Sequence, residues 1–320
     1  MMIIFVTRGR NKITNELVAR FGSKDFNFDY RGTSKLLALI KMAITANELD
    51  INDGDVIVFE GIMCAFISNF VRRRARIFVL YANGPDFAIS KRKFSWKHLL
   101  LRMILRRLDK IVVISEMVSQ DAKIILPKTQ IFNVGFVSQT SFPKKMRMEN
   151  RITTTKRKKY IISLDRPNET GWVKGLDLCI AAFREIQKLD VEVELHITGR
   201  GTENLQFDNL KNYVCHGFVD MHKFLPSMDW ALILSRYDAF NLFGLECLYH
   251  GVVPIFSENV GLATELELPK ECMISGTEVT KVLDLVNAED YRLLVRDAFI
   301  KYSEDNSFFN KFSTAIASHD

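Results

Sequence analysis

The chain has 320 residues, 48% hydrophobic and 26% charged, a balance that excludes disorder as its default state and allows two domains with sizeable cores. Its apolar runs are broken by Arg or Lys before the ~18 residues a spanning helix needs, and the opening MMIIFVT, too short for a signal peptide, turns straight into RGR and is expected to be a buried strand. Cys64, Cys179, Cys215, Cys247 and Cys272 are odd in number and form no CxxC pair, so neither a disulfide framework nor a zinc site is expected, and a reducing cytoplasm suits the chain.

In chain order, the first half offers IIFVT (3–7), DVIVFE (55–60), RIFVLY (76–81), KIVVIS (110–115) and QIFNV (130–134) as predicted strands, separated by segments of helical period. The basic, polar stretch Ser141 to Tyr160 reads as an interdomain linker. Beyond it come YIISL (160–164), VELHITG (193–199), Tyr213–Cys215, WALILS (230–235) and VVPIF (252–256). Continuous apolar runs imply strands buried on both faces, hence parallel sheets covered by helices. The expected architecture is α/β, with two doubly wound Rossmann-like domains facing each other across a cleft, 1–150 and 151–320, the last helix returning to the first domain. Charge separates the halves: residues 1–150 hold 25 Lys/Arg against 13 Asp/Glu, whereas residues 151–320 hold 19 against 25. In doubly wound domains ligands bind beyond the carboxyl ends of the strands, so the loops after Thr7, Tyr81, Leu164, Gly199 and Ser235 are the places to seek chemistry.

The stretch DAFNLFGLECLYHGVVPIF, Asp238 to Phe256, puts one acid before a predicted helix (Leu242 to His250) and a second, Glu246, inside it. Leu245, Leu248 and Tyr249 can share a buried side of that helix. Asp238 falls in the approach to its N-terminus, where free N–H groups and the macrodipole favour an anion such as a diphosphate. Taken alone, an acid pair at this spacing is more often a turn residue and a solvated helix residue.

With RPNETGWVKGLDLCIAAFREI (166–186), LHITGRG (195–201) and VCHGFVD (214–220) before it, and SENVGLATEL (257–266) after it, the stretch resembles the donor-binding domain of GT-B glycosyltransferases of family 4. The likeness is good over about residues 160–266 and loose before. It implies a retaining, metal-independent hexosyltransferase taking a nucleotide-sugar donor, with no cofactor. Residue by residue, it implies Arg166 and Lys174 as the basic pair on the leaving diphosphate, Asp238 on hydroxyls of the transferred sugar and Glu246 on the ribose. Phe240, Asn241 and Leu242 stand in the donor loop, with Asn241 where the family usually has Gly. Gly217, Phe218 and Val219 would meet the base, and Gly9 would let the first domain approach the phosphates. The family's usual Arg–Lys spacing is shorter; TGW reads as an insertion before Val173.

On the acceptor side, RIFVLYANGPDF lacks the His many family members carry and offers Asn83 and Asp86. A front-face retaining mechanism, in which the departing phosphate oxygen takes the acceptor proton, does not require that base. Asp53-Gly54-Asp55 spells a metal-binding DxD but precedes a strand, so a turn is expected, and the six His form no tight ligand cluster, His196 reading as a core histidine. In Phe94 to Lys110, the residues Phe94, Leu101, Ile104, Leu105 and Leu108 form one helical side, His98, Arg102, Arg106 and Lys110 lie opposite, and Trp96, Leu99 and Met103 fall among the cations. That pattern, with Lys91-Arg92-Lys93 and Arg72-Arg73-Arg74 nearby, is expected to dock on an anionic membrane, peripheral on its inner face, with a lipid-linked, glycan or protein acceptor. Two alternatives stay open: a catalytically silent sugar-nucleotide or glycan binder, and a nucleic-acid-directed glycosyltransferase or binder. Against the latter, the basic segments lack interleaved aromatics and any groove-reading motif.

Overall fold

The computed structural model describes residues 2–7, 12–22, 24–27, 44, 51–52, 54–71, 77–82, 87, 96–136, 157–190, 192–305 and 307–317. The chain divides into two compact units, Met1–Phe136 with Ser307–Asp320, and Val137–Asn306. In the first, strands β1 (Ile3–Thr7), β2 (Lys24–Asn27), β3 (Val56–Glu60), β4 (Ile77–Ala82), β5 (Lys110–Val113) and β6 (Gln130–Asn133) form a parallel sheet in the order β2-β1-β3-β4-β5-β6. Ile4, Phe5, Ile57, Val58, Ile111 and Val112 are buried; neighbours along a strand point to opposite faces, so both faces of the central strands are covered, as their unbroken apolar runs require. The helix Phe308–Ala317 belongs to this unit: Phe312 lies 6.4 Å from Phe5 and 5.9 Å from Tyr81, edge-on to the latter.

Two features of this unit depart from the sequence reading. Strand β2, KDFN, has no apolar run, because it lies at the sheet edge, where its ends are exposed. The segment Phe94 to Lys110 is not one helix: Trp96–Leu105 is helical, the chain turns, and Lys110 opens β5, 3% exposed, its Nζ donating to the Ala315 carbonyl. A lysine can be buried there because a helix C-terminal carbonyl meets its ammonium. Lys110 therefore cannot serve the basic side of an amphipathic helix. Asp55 behaves as a turn residue, accepting from the N–H groups of Met2 at 2.8 Å and Asn52 at 2.9 Å. Asp53, Arg72 to Arg74, Lys91 to Lys93 and Phe94 lie outside the described residues, as do the side chains of Trp96 and His98.

In the second unit β7 (Lys158–Ser163), β8 (Val193–Thr198), β9 (Tyr213–Gly217), β10 (Trp230–Ile233) and β11 (Val253–Phe256) form a parallel sheet ordered β11-β10-β7-β8-β9. Its core centres on Trp230, fully buried, stacked on Tyr291 at 6.4 Å, and on Tyr160 against Phe183. Of the linker Ser141 to Tyr160, only residues 157–160 are described, and β7 has already begun within them. The chain runs outward from β7 through β8 to β9, returns, and runs the other way through β10 to β11. The reversal lies between β7 and β10, and the carboxyl ends of the strands at such a reversal are where ligands bind in doubly wound sheets.

Candidate donor site at the strand-order reversal

The loop after β7 ends in Lys174 and Gly175, which opens the helix Leu176–Leu189; the loop after β10 holds Asp238 and Asn241, which opens the helix Leu242–Tyr249. Gly175 has φ +67°, and a Cβ there would fall on the Leu234 carbonyl oxygen, so only glycine lets the two loops close on each other. Across this contact the Lys174 Nζ donates to Asp238 Oδ2 at 2.6 Å.

Asp238 is fixed from three sides. Besides Lys174, the Asn241 Nδ2 donates to the same oxygen at 2.8 Å, and the Phe240 N–H approaches Oδ1 at 3.4 Å. The Asp238 backbone joins the segment 257–266: its N–H donates to Asn259 O at 2.9 Å and its carbonyl accepts from the Gly261 N–H at 2.8 Å. Asn241 has φ +79° and accepts from the Gly244 N–H through Oδ1 at 2.6 Å, capping the helix. Asparagine tolerates the left-handed region and is among the best N-caps, which accounts for its standing where the resembling family usually has glycine.

Glu246 follows Leu242 by one helical turn and is half-buried; burial raises its carboxyl above the usual range, partly offset by His222. Leu245 and Leu248 are buried and Phe240 is 3% exposed, while Leu242 is 48% exposed at the helix start. Gly217 ends β9 with φ +68°, followed by Phe218, 77% exposed, and half-buried Val219. These three share the carboxyl edge of the sheet with Lys174 and Asp238 but stand two strands away from β7. Arg166 is not drawn into the cluster: its exposed side chain pairs with Glu169 at 3.6 Å. Gly9, Asn83 and Asp86 lie outside the described residues.

Arg236 was not singled out by sequence, although it precedes Asp238 by two residues. Its guanidinium donates twice to Asp177, at 2.7 and 2.6 Å, and holds that carboxyl below the usual range. His196 is a core histidine: 7% exposed, its Nδ1 meets His216 Nε2 at 2.9 Å, and burial pushes its pKa down to about 4. Among the described residues, no group of three or more His, Cys, Asp or Glu could hold a metal ion, and no helix is long and apolar enough to cross a membrane.

Residues 158–284 match the sequence model of the family described as glycosyl transferases group 1. A search of curated proteins returns no match. Among solved structures, the apo structure of OtsA has 12% identity, covers 100% of both chains and superposes with a TM-score of 0.71. An E. coli structure described as trehalose-6-phosphate bound with UDP-2-fluoro glucose has 10% identity, covers 99% of each chain and gives 0.71. A UDP-forming alpha,alpha-trehalose-phosphate synthase from Burkholderia xenovorans, in complex with glucose-6-phosphate, has 11% identity, covers 99% of this chain and 100% of that chain, and gives 0.70. At such identities the likeness is one of fold. The chain therefore has the two-domain, Rossmann-like fold of GT-B glycosyltransferases, and its Lys174–Asp238 site lies within the segment that matches glycosyl transferases group 1.

Proposed function

We propose that the chain is a retaining, metal-independent hexosyltransferase of the family 4 type, moving a sugar from a nucleotide-sugar donor to a glycan-type acceptor. The observation that carries this reading is the Lys174–Asp238 pair at the strand-order reversal, beside a capped helix N-terminus. Departure of a nucleoside diphosphate builds negative charge on its terminal phosphate. Fixed cations and N–H donors stabilise that charge more in the transition state than in the ground state. Lys174 supplies the cation. Asn241 takes up the Gly244 N–H and leaves those of Leu242 and Phe243, the first of the helix, for phosphate oxygens. Asp238 accepts from hydroxyls of the transferred sugar and Glu246 from the ribose. With the leaving oxygen beside the acceptor hydroxyl, that oxygen takes the acceptor proton as the new bond forms on the same face.

The ligands of the structural neighbours, UDP-2-fluoro glucose and glucose-6-phosphate, belong to the two classes this reading calls for. The test is thermal shift and nucleoside-diphosphate release with UDP, GDP, ADP and dTDP sugars. One donor should stabilise the protein and turn over; no stabilisation by any would overturn the proposal, and stabilisation without turnover would replace it with a silent binder.

A membrane-associated acceptor is favoured by one observation. Leu99, Met103 and Ile124 are 56%, 55% and 57% exposed, beside the exposed Arg106 and Lys123. Arg102 and Arg107 have structural partners there, donating to the Ile125 and Val71 carbonyls respectively. The apolar side chains and Arg106, rather than the whole arginine set, would make the contact.

A further inference from the structure

The loops after β7 and β10 are joined by contacts that run in step. Gly175 lies against the Leu234 carbonyl, Lys174 binds Asp238, the Arg236 N–H donates to Val173 O at 2.8 Å, and Arg236 Nη1 donates to Trp172 O at 2.7 Å. At the outer end the Arg236 guanidinium carbon stands 4.7 Å from the centroid of the Trp172 ring. Because Asp177 holds that guanidinium by two hydrogen bonds, the indole is braced by a group that is itself fixed. Yet Trp172 is 67% exposed, whereas Trp230 is wholly buried. A braced, exposed indole contributes little to a core; it presents a rigid apolar face at low entropic cost.

Position along the ladder says what that face meets. Exposure rises outward, from 11% at the Asp238 side chain to 38% at that of Lys174 and 67% at Trp172. The inner pair is where the proposed function puts the transferred sugar and the leaving diphosphate, and this inference rests on that reading. Whatever meets Trp172 lies one step further out, beyond the transferred sugar. A pyranose suits the ring: its face of axial C–H groups packs on the electron-rich indole face while its hydroxyls stay at the rim in water. Val173, next to Trp172 in the chain and 39% exposed, adds apolar surface.

We infer that Trp172, braced by Arg236 and Asp177, is a stacking platform for a pyranose ring of the acceptor. The probes are maltose, cellobiose, lactose and mannobiose, titrated by saturation-transfer NMR and tryptophan fluorescence with UDP or GDP present, using the full chain. At least one disaccharide should bind the wild-type protein. Its affinity should fall about tenfold in Trp172→Ala, or ~1.4 kcal/mol, and be largely kept in Trp172→Phe. Arg236→Gln, which removes the brace and leaves the indole, should give an intermediate loss. Nucleoside-diphosphate affinity should not change in Trp172→Ala. Binding of no disaccharide, or equal binding to Trp172→Ala, would overturn the inference. Failure of the donor reading registers separately, as absence of nucleotide-sugar binding by the wild-type protein.

Discussion

Replacing Lys174 by alanine removes the one cation that touches Asp238 among the described residues, and the loss can be apportioned. A hydrogen bond to a charged group is worth roughly 1.5–3 kcal/mol. If it strengthens as the diphosphate departs, its removal slows transfer about 10–100-fold. The Lys174 Nζ has a second task in the resting protein, because it lies 2.6 Å from an Asp238 carboxylate that is only 11% exposed. A rate loss in Lys174→Ala alone would not separate the two. A double-mutant cycle does, since contacts that act only through each other are non-additive. If Lys174 meets the phosphate itself, Lys174→Ala should still cost about tenfold or more in an Asp238→Asn background; if it only positions Asp238, the second loss vanishes. The assay is initial-rate release of nucleoside diphosphate at saturating donor. Turnover near the wild-type rate in Lys174→Ala would refute the assignment of the leaving-group cation.

Glu246→Gln should raise donor KM with little change in kcat. It should also raise the apo Tm at pH 8: burial lifts the folded-state pKa above the unfolded value, so the wild type loses stability as pH rises between the two, and the gain from Gln should disappear below about pH 4. Asn241→Ala loses a cap, about 1 kcal/mol, and puts alanine at φ +79°, so thermal melts should place it below Asn241→Gly, which loses the cap alone; the reverse order would refute the left-handed assignment. Activity should survive EDTA, and complete loss rescued by manganese would overturn metal independence. In liposome sedimentation, binding should require anionic lipid, fall with salt and weaken in Leu99→Ser/Met103→Ser; equal recovery with neutral and anionic vesicles would leave these side chains as ordinary surface.

What the sequence made legible is what depends on local pattern. Strands such as IVV in β5 or ALI in β10 are apolar on both faces because helices cover both, and that leaves an unbroken run to read. KDFN in β2 is an edge strand with exposed ends, so it carries no such run. The amphipathic period through Phe94 to Lys110 correctly predicts a helix with Leu101 and Leu105 buried, yet period alone does not show where the helix ends and β5 begins. Lys174 and Asp238 could be named from a motif, whereas Arg236 could not. Its partners Trp172 and Asp177 are 64 and 59 residues away, and only the strand-order reversal brings those loops together. Arg166, named by the same motif as Lys174, follows local geometry: at φ +51° it precedes a four-residue helix and pairs with Glu169 within it.

On the proposed reading, the arrangement around Asp238 would let one carboxylate serve both an empty and an occupied site. A nearly buried carboxylate needs its charge met by donors, and in the resting state three supply it: the ammonium of Lys174, the amide of Asn241 and the N–H of Phe240. On that reading, a diphosphate would draw Lys174 toward itself, and Asp238 would keep the two neutral donors and gain sugar hydroxyls in place of the ammonium. The cation would then be stored one hydrogen bond from where the leaving charge develops, and moving it would leave no buried charge without a partner. Asn241 would make this exchange workable, because one side chain holds the carboxylate through Nδ2 and caps the helix Leu242–Tyr249 through Oδ1. Glycine at that position would give the same backbone conformation and neither contact.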